Sequence, residues 1–369
     1  MARLKVASLF CGCGGMDLGI LGDFRFLGTS YPRSNFDIVY AVDNDKYCTQ
    51  IYNANFTHPC EVRDVRDIVP DEIPDFDILV GGFPCQSFSI SAQNPPRLGY
   101  KDERGMLFFE MVRILKQKKP RAFIAENVKG LLSANNKRAF PMILHEFSEA
   151  GYRVQYYLVN ASRFGVPQKR ERVIIIGFRD KVDEDNFKFS HYIPATSILR
   201  DVLDPTQDLN EKLYFSDKAV AGMMAVREKM NKGRAQDPDQ ACNTISAHLA
   251  KVSLNSTDPV LRIGNRFRRF SCREAARIQS FPDSFRLDVV SDIRQYKAIG
   301  NAVPPVLMWH IANSMQRAFE ASDGTNRNTL KKKVQSVYSI TMQNEMQGCV
   351  FEQEASYGHP PVSADGGEL

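Results

Sequence analysis

Three short segments carry residue types that could cooperate in covalent chemistry. Cys85 lies in Gly82-Phe83-Pro84-Cys85-Gln86-Ser87-Phe88-Ser89, directly after an apolar run. Proline fixes the backbone just ahead of it, and a thiol at a strand end on a restrained loop suits a nucleophile. An arbitrary cysteine is more often buried and inert, so its companions decide. Glu126, in Phe123-Ile124-Ala125-Glu126-Asn127-Val128, is an acid closing a second apolar run. Gln168-Lys169-Arg170-Glu171-Arg172 precedes another. If that stretch is extended, alternation places Gln168, Arg170 and Arg172 on one face. A thiol, an acid and a guanidinium at strand termini form a constellation for acid-assisted nucleophilic attack.

A second group of residues suits a bound adenosyl compound. Phe10-Cys11-Gly12-Cys13-Gly14-Gly15 follows the first apolar run and precedes a helical stretch. Its glycines let a backbone approach a ligand, although a tight turn alone would explain them. Asp17 stands where GxGxxG would have its third glycine, which weakens a dinucleotide reading and leaves room for a smaller ligand. Asp43, closing the second run, could accept from two ribose hydroxyls, with an exposed turn aspartate as the alternative. Asp64, in Val62-Arg63-Asp64-Val65, could accept from an adenine amino group, with a plain turn aspartate as the alternative.

The elements that must position these groups alternate. Strands are expected at Val6 to Phe10, Ile38 to Asp43, Phe76 to Gly82, Ala122 to Glu126 and Arg172 to Phe178, with helical stretches such as Leu107 to Lys116 between them. That alternation predicts a parallel α/β sheet with helices on both faces, whose ligands bind beyond the carboxyl ends of the strands. From about 181 to 262 the periodicity fails, as in an irregular insert. The α/β pattern resumes after 270, where Ser271-Cys272-Arg273-Glu274 is a capping box and the helix should stop before Phe281. Val303 to Phe319 reads as a closing helix, and the polar tail from about 322, with Lys331-Lys332-Lys333, should be loosely ordered. The domains are therefore drawn as 1–180 and 276–321 for the α/β unit, 181–275 for the inserted region and 322–369 for the tail.

Arg262, Arg266, Arg268, Arg269, Arg273 and Arg277 fall within 16 residues, with Glu274 opposing them and Phe267 and Phe270 interleaved. Such a run is usually a solvated face. Next to the insert, phosphate binding is the better reading. The whole chain of 369 residues carries a net charge of only +5, and its eight cysteines are scattered. No spacing suggests zinc ligands or a disulfide framework. No apolar run reaches the ~20 residues of a membrane span and no signal peptide is evident, so a soluble, cytoplasmic, metal-free protein is expected.

Taken in order, these segments resemble the DNA (cytosine-5)-methyltransferases of the bacterial modification type. The matching pieces are Phe10 to Gly15, Asp43, Pro84-Cys85-Gln86, Glu126-Asn127-Val128, Gln168 to Arg172, Arg269 to Glu274 and Gly300-Asn301-Ala302-Val303. Ser8, where many members have aspartate, and Asp43, where glutamate is common, are mild departures. The resemblance implies a Rossmann-like S-adenosylmethionine-dependent methyltransferase sheet with a smaller, irregular target-recognition domain. Cofactor residues would be Phe10, Gly12, Gly14, Gly15, Asp43, Asp64, Asn301 and Val303. Cys85 would add to cytosine C6, Glu126 would bind the N3 and amino edge, and Arg170, beside Arg172, would hold the carbonyl edge and favour the thiolate. Gln86, Ser89, Gln168, Thr244, Arg266, Arg268, Arg269 and Arg273 would face DNA, and the Gln86 to Arg104 loop would close behind a flipped base.

The substrate implied is double-stranded DNA, acted on by a monomer, on the nucleoid if the source is bacterial; a restriction endonuclease reading the same site is the partner such enzymes can have. Two rivals stand beside this reading. One is a cytosine-5 methyltransferase of transfer RNA, whose usual Cys-Phe-Thr signature is absent here. The other is a catalytically inactive DNA-binding relative.

Overall fold

The computed structural model describes residues 3–84, 107–189, 197–222, 235–251 and 258–324. Cys85, Gln86, Ser89, the rest of the 86–104 loop and nearly all of the tail lie outside the described residues. The main sheet has seven strands among those described: β1 (Leu4–Leu9), β2 (Phe36–Asp43), β3 (Glu61–Val62), β4 (Ile78–Gly81), β5 (Ala122–Val128), β6 (Arg153–Asn160) and β7 (Glu171–Phe178). Their order across the sheet is β3-β2-β1-β4-β5-β7-β6.

Strands β1 to β5 are parallel, and the expected starts and ends hold within a few residues. Strand β7 departs from the expectation. It runs antiparallel to both β5 and β6. Only the short 161–170 connection separates it from β6, too little for a parallel crossover, which needs a dozen or more residues. The consequence is functional. An antiparallel strand begins at the edge where its parallel neighbour ends, so Arg172 lies opposite Val128 and Ile174 opposite Glu126.

Both faces of the sheet are covered, so its central strands are largely apolar, with polar residues such as Ser8, Glu126 and Asn127 toward their carboxyl ends. All four residues of β4 are buried. Alternation sorts the side chains. Val6, Ile38, Ile124, Ile174 and Ile176 join one core, and Ala7, Leu9, Val42, Phe123, Val173 and Ile175 join the other. Helices α1 (Gly15–Leu21) and α2 (Lys46–Asn55) cover the first face. Helices α3 (Leu107–Lys118) and α4 (Ala139–Glu149) cover the second.

The C-terminal part returns to the first face. Helix α5 (Cys272–Ile278) opens with the expected box: Glu274 N donates to Ser271 Oγ (3.2 Å) and Ser271 N to Glu274 Oε2 (2.8 Å). Helix α6 (Asp292–Asn301) follows, and a further helix begins at 305, after Pro304, burying Val306, Leu307, Ile311 and Met315. Within the irregular region, the described residues form short α-helices at Lys181–Asn186 and 217–222, 3-10 turns and small strands, among them β8 (Val260–Ile263) and β9 (Arg266–Arg268). Residues 1–320 form one compact unit, and 321–324 are helical. No described helix is long and apolar enough to cross a membrane.

Candidate active site

The carboxyl ends of β1, β2, β4 and β5 and the start of β7 open on one cleft of about 520 Å³, a size usual for small-molecule sites. Its near wall is the turn after β1. Phe10 and Gly12 hold φ of 53° and 57°, and Gly14 holds 89°. A side chain on Gly14 would also overlap the Phe56 ring, so this glycine is required by packing as well as by its backbone conformation. Phe10, Gly12, Gly15, Asn301 and Val303 line the cleft, as expected. Gly14 does not: it faces Phe56 and Tyr52, and its assignment to the ligand is corrected to a packing role.

Asp43 ends β2 with both carboxylate oxygens anchored. Gly12 N donates to Oδ2 and Asp45 N to Oδ1, each at 2.8 Å. Burial raises its carboxyl above the usual range, against the pull of those two N–H groups. Each oxygen accepts one of these bonds and keeps capacity for another, and the residue lines the cleft. Asp64 sits elsewhere. Its carboxylate caps the next turn through Arg66 N and grips the Arg66 guanidinium at 2.8 and 3.0 Å, and it is not part of the cleft wall. A contact with an adenine is not what the structure gives it.

At the other end of the cleft, Glu126 is 9% exposed. Arg172 Nε meets its Oε1 at 2.7 Å. Its Oε2 points at Gly82, where an added Cβ would come within 3.1 Å. The acid therefore faces the Gly82-Phe83-Pro84 turn that leads into Cys85. Asn127 Nδ2 donates to the Phe83 carbonyl (3.0 Å) and ties the end of β5 to that turn. No local signal in the sequence marks this role of Asn127; only the fold shows which carbonyl it meets.

Arg170 needs correction. It is 2% exposed, and it donates to the carbonyls of Ile245 (3.1 Å), Gly300 (3.0 Å) and Ala302 (3.0 Å). Burial, then the charge of Arg172, pulls its pKa down. It lines the cleft and fastens the 245 segment and the end of α6 to it, so its terminal nitrogens are engaged by main-chain carbonyls. Gln168 is fully buried too, accepting from Ile245 N (3.1 Å) and donating to Gln279. It is a strut rather than a DNA contact. The Cys242–Asn243 strand pairs in parallel with Gln168–Lys169, and Thr244 Oγ1 donates to the Lys169 carbonyl (2.9 Å).

The arginine run divides. Arg268 is 1% exposed, bound to Glu274 through two nitrogens (2.8 Å each) and to Asp208 (2.8 Å). Arg273 donates to the carbonyls of Pro282 and Phe285. Neither is aimed outward, and both DNA assignments are corrected. Arg269 is half-buried and donates to the Ala250 carbonyl. Arg266 remains exposed, paired with Glu211 and lying 3.8 Å from the Tyr214 ring centroid. Opposing acids therefore include Asp208, Glu211 and Asp283 as well as Glu274.

Among the described cysteines, burial pushes Cys13 and Cys272 up to about 12, and Cys11, Cys48 and Cys242 are also raised. Cys11, Cys13 and Cys48 line the cleft, yet a thiol so protonated is a poor nucleophile.

The model of the family described as C-5 cytosine-specific DNA methylase matches residues 4–317. The Type II methyltransferase M.Bsp6I of Bacillus sp. (strain RFL6) is 32% identical over 327 residues, covering 85% of this chain and 99% of that protein. The Type II methyltransferase M.FnuDI of Fusobacterium nucleatum is 34% identical over 357 residues, covering 90% and 98%. Among solved structures, the Entamoeba histolytica methyltransferase EhMeth superposes with a TM-score of 0.67 at 16% identity, covering 85% of this chain and 98% of that one. The last likeness establishes the methyltransferase fold.

Proposed function

The chain belongs to the C-5 cytosine-specific DNA methylase family and is a DNA (cytosine-5)-methyltransferase, and from that premise we propose that it acts through a flipped cytosine and covalent addition of Cys85. The observation that carries this reading is the Glu126–Arg172 pair, which opens beside the turn into Cys85 in the same cleft as the glycine turn and Asp43. The raised thiols that line the cleft are unsuited to attack, and Cys85, which follows Pro84 of the cleft wall in sequence, is the nucleophile in this reading.

The family implies S-adenosylmethionine as methyl donor, and the cleft fits it. Asp43 suits the ribose hydroxyls, Phe10 offers a face to the adenine, and Gly12, Gly15, Asn301 and Val303 complete the wall. Bound there, the cofactor supplies an electrophilic methyl group. Cytosine C5 is too weak a nucleophile until conjugation is broken, which addition of the Cys85 thiolate at C6 achieves. Glu126, oriented by Arg172, binds the N3 and amino edge and neutralises charge gathering on the ring. After transfer, a base removes the C5 proton and the Cys85–C6 bond breaks, returning the thiolate and an aromatic ring. Inside a duplex C5 is out of reach, so the base is turned out at a cost of a few kcal/mol.

Region 181–275 would read the target, with Gln86 and Ser89 beside the nucleophile and exposed Arg266 on phosphate. The Type II methyltransferase relatives favour a modification enzyme, paired with a restriction endonuclease of the same specificity. Duplex DNA with 5-fluorocytosine at the target should trap a denaturation-resistant complex, because fluorine does not leave as a proton does. Cys85→Ser should give none, and cross-linking by the serine variant would move the nucleophile elsewhere. Glu126→Gln should slow transfer by about 10²–10⁴ with cofactor affinity intact. An equal loss of affinity would make Glu126 a structural residue.

A further inference from the structure

Behind the cleft floor lies a carboxylate that the mechanism does not use. Asp17, on α1, is fully buried. Ser8 Oγ donates to its Oδ1 at 2.6 Å and the Tyr52 hydroxyl to its Oδ2 at 2.8 Å. Burial raises it to about 6, against those two hydrogen bonds, and no cation among the described residues contributes to its setting. It is thus ionised at neutral pH in a place where an unpaired charge is costly. The other cleft acids differ. Glu126 is matched by Arg172 and Asp45 by Lys297 (2.6 Å), and Asp43 is held by two backbone N–H groups.

The sheet order says what lies above Asp17. Asp43 closes β2 on one side of β1, and Glu126 lies in β5 on the other, beyond β4. Ser8, in β1, lines the cleft between them. Strands are spaced by about 4.8 Å, so a cofactor with its ribose at β2 and its methyl directed toward β5 carries its sulfonium over β1. We propose that Asp17, presented through Ser8, is the fixed counter-charge that makes this cleft prefer the cationic sulfonium of S-adenosylmethionine to the neutral thioether of S-adenosylhomocysteine, so that the product is held less tightly than the substrate. This rests on the cofactor placement proposed above.

The test is calorimetry on the full chain without DNA, using S-adenosylmethionine and S-adenosylhomocysteine separately. Asp17→Asn should weaken S-adenosylmethionine by about tenfold or more, as a lost charge in a poorly screened site implies, and change S-adenosylhomocysteine by less than about threefold. Asp17→Ser should do the same. The double variant Ser8→Asp with Asp17→Ser reverses the hydroxyl–carboxylate pair and should restore the preference for the sulfonium. Equal weakening of both ligands, or a double variant no more selective than Asp17→Ser, overturns the proposal. Failure of the unaltered chain to bind either compound would instead overturn the cofactor placement.

Discussion

Two regions of this chain gather charge, and they use it differently. Around the strand ends, Asp17, Asp43, Glu126 and Arg172 stand at or just behind an open cleft. In the 262–277 run, Arg268, Arg273 and Arg277 are bound to Glu274 and Asp208, to the carbonyls of Pro282 and Phe285, and to Asp283. The first set is poised toward something that must arrive. Most of the second is already satisfied within the protein, which is the usual state of a buried polar group. The same density of charge in sequence thus marks a reactive cleft in one place and a structural clasp in the other.

Arg268 should give the largest effect. It is enclosed with Glu274, itself fully buried, and removing one partner of a buried pair leaves an uncompensated charge. Arg268→Met should cost about 3–5 kcal/mol of stability in urea unfolding. A loss under about 1 kcal/mol, joined to a shallower salt dependence of DNA binding, would return Arg268 to the phosphate-contacting group and erase the contrast.

Asp17 tests the other region. Its folded value of about 6 lies above the ordinary value near 3.9, so folding favours the protonated form. The wild-type chain should therefore lose stability as pH rises from about 4 to about 6, then level off. The loss is on the order of 3 kcal/mol relative to Asp17→Asn, which lacks the group. Parallel stability–pH curves for the two proteins would mean that the charge is compensated within the fold, and the cleft end would then be as self-satisfied as the arginine run.

What the sequence disclosed follows from range. Strand ends are local signals: Phe10 to Gly15, Asp43 and Glu126 were legible because an apolar run stops at each. The box at Ser271 and Glu274 spans three residues and was equally plain. The antiparallel placement of β7 was less so, because a strand's direction depends on its neighbour's, although the short 161–170 connection held the clue. The partners of Arg170 and Gln168 escape the sequence for a related reason. Alternation gave their shared face, but their acceptors, Ile245, Gly300, Ala302 and Gln279, lie far along the chain. Asp208 and Glu211, which neutralise Arg268 and Arg266, are more than 50 residues from them, beyond any count of opposing charges in a local window.

Arg266 gives the smallest effect and the sharpest division within the arginine run. Its pair with Glu211 is exposed on both sides, at 54% and 71%, where solvent and salt screen the attraction. Its guanidinium also rests on the Tyr214 ring, a weak attraction where water reaches both groups. Arg266→Ala should therefore leave the urea-unfolding midpoint close to that of the wild type. A phosphate can displace Glu211 at little cost, because the carboxylate and the phosphate present similar oxygen pairs to the same fork. If Arg266 meets DNA in this way, its loss should lower affinity for every duplex alike, since phosphate contacts carry no sequence information. The logarithmic salt slope should also become shallower by about 0.9. A slope unchanged from wild type would show that Arg266, like Arg268, serves the fold, and that DNA is held by other surfaces.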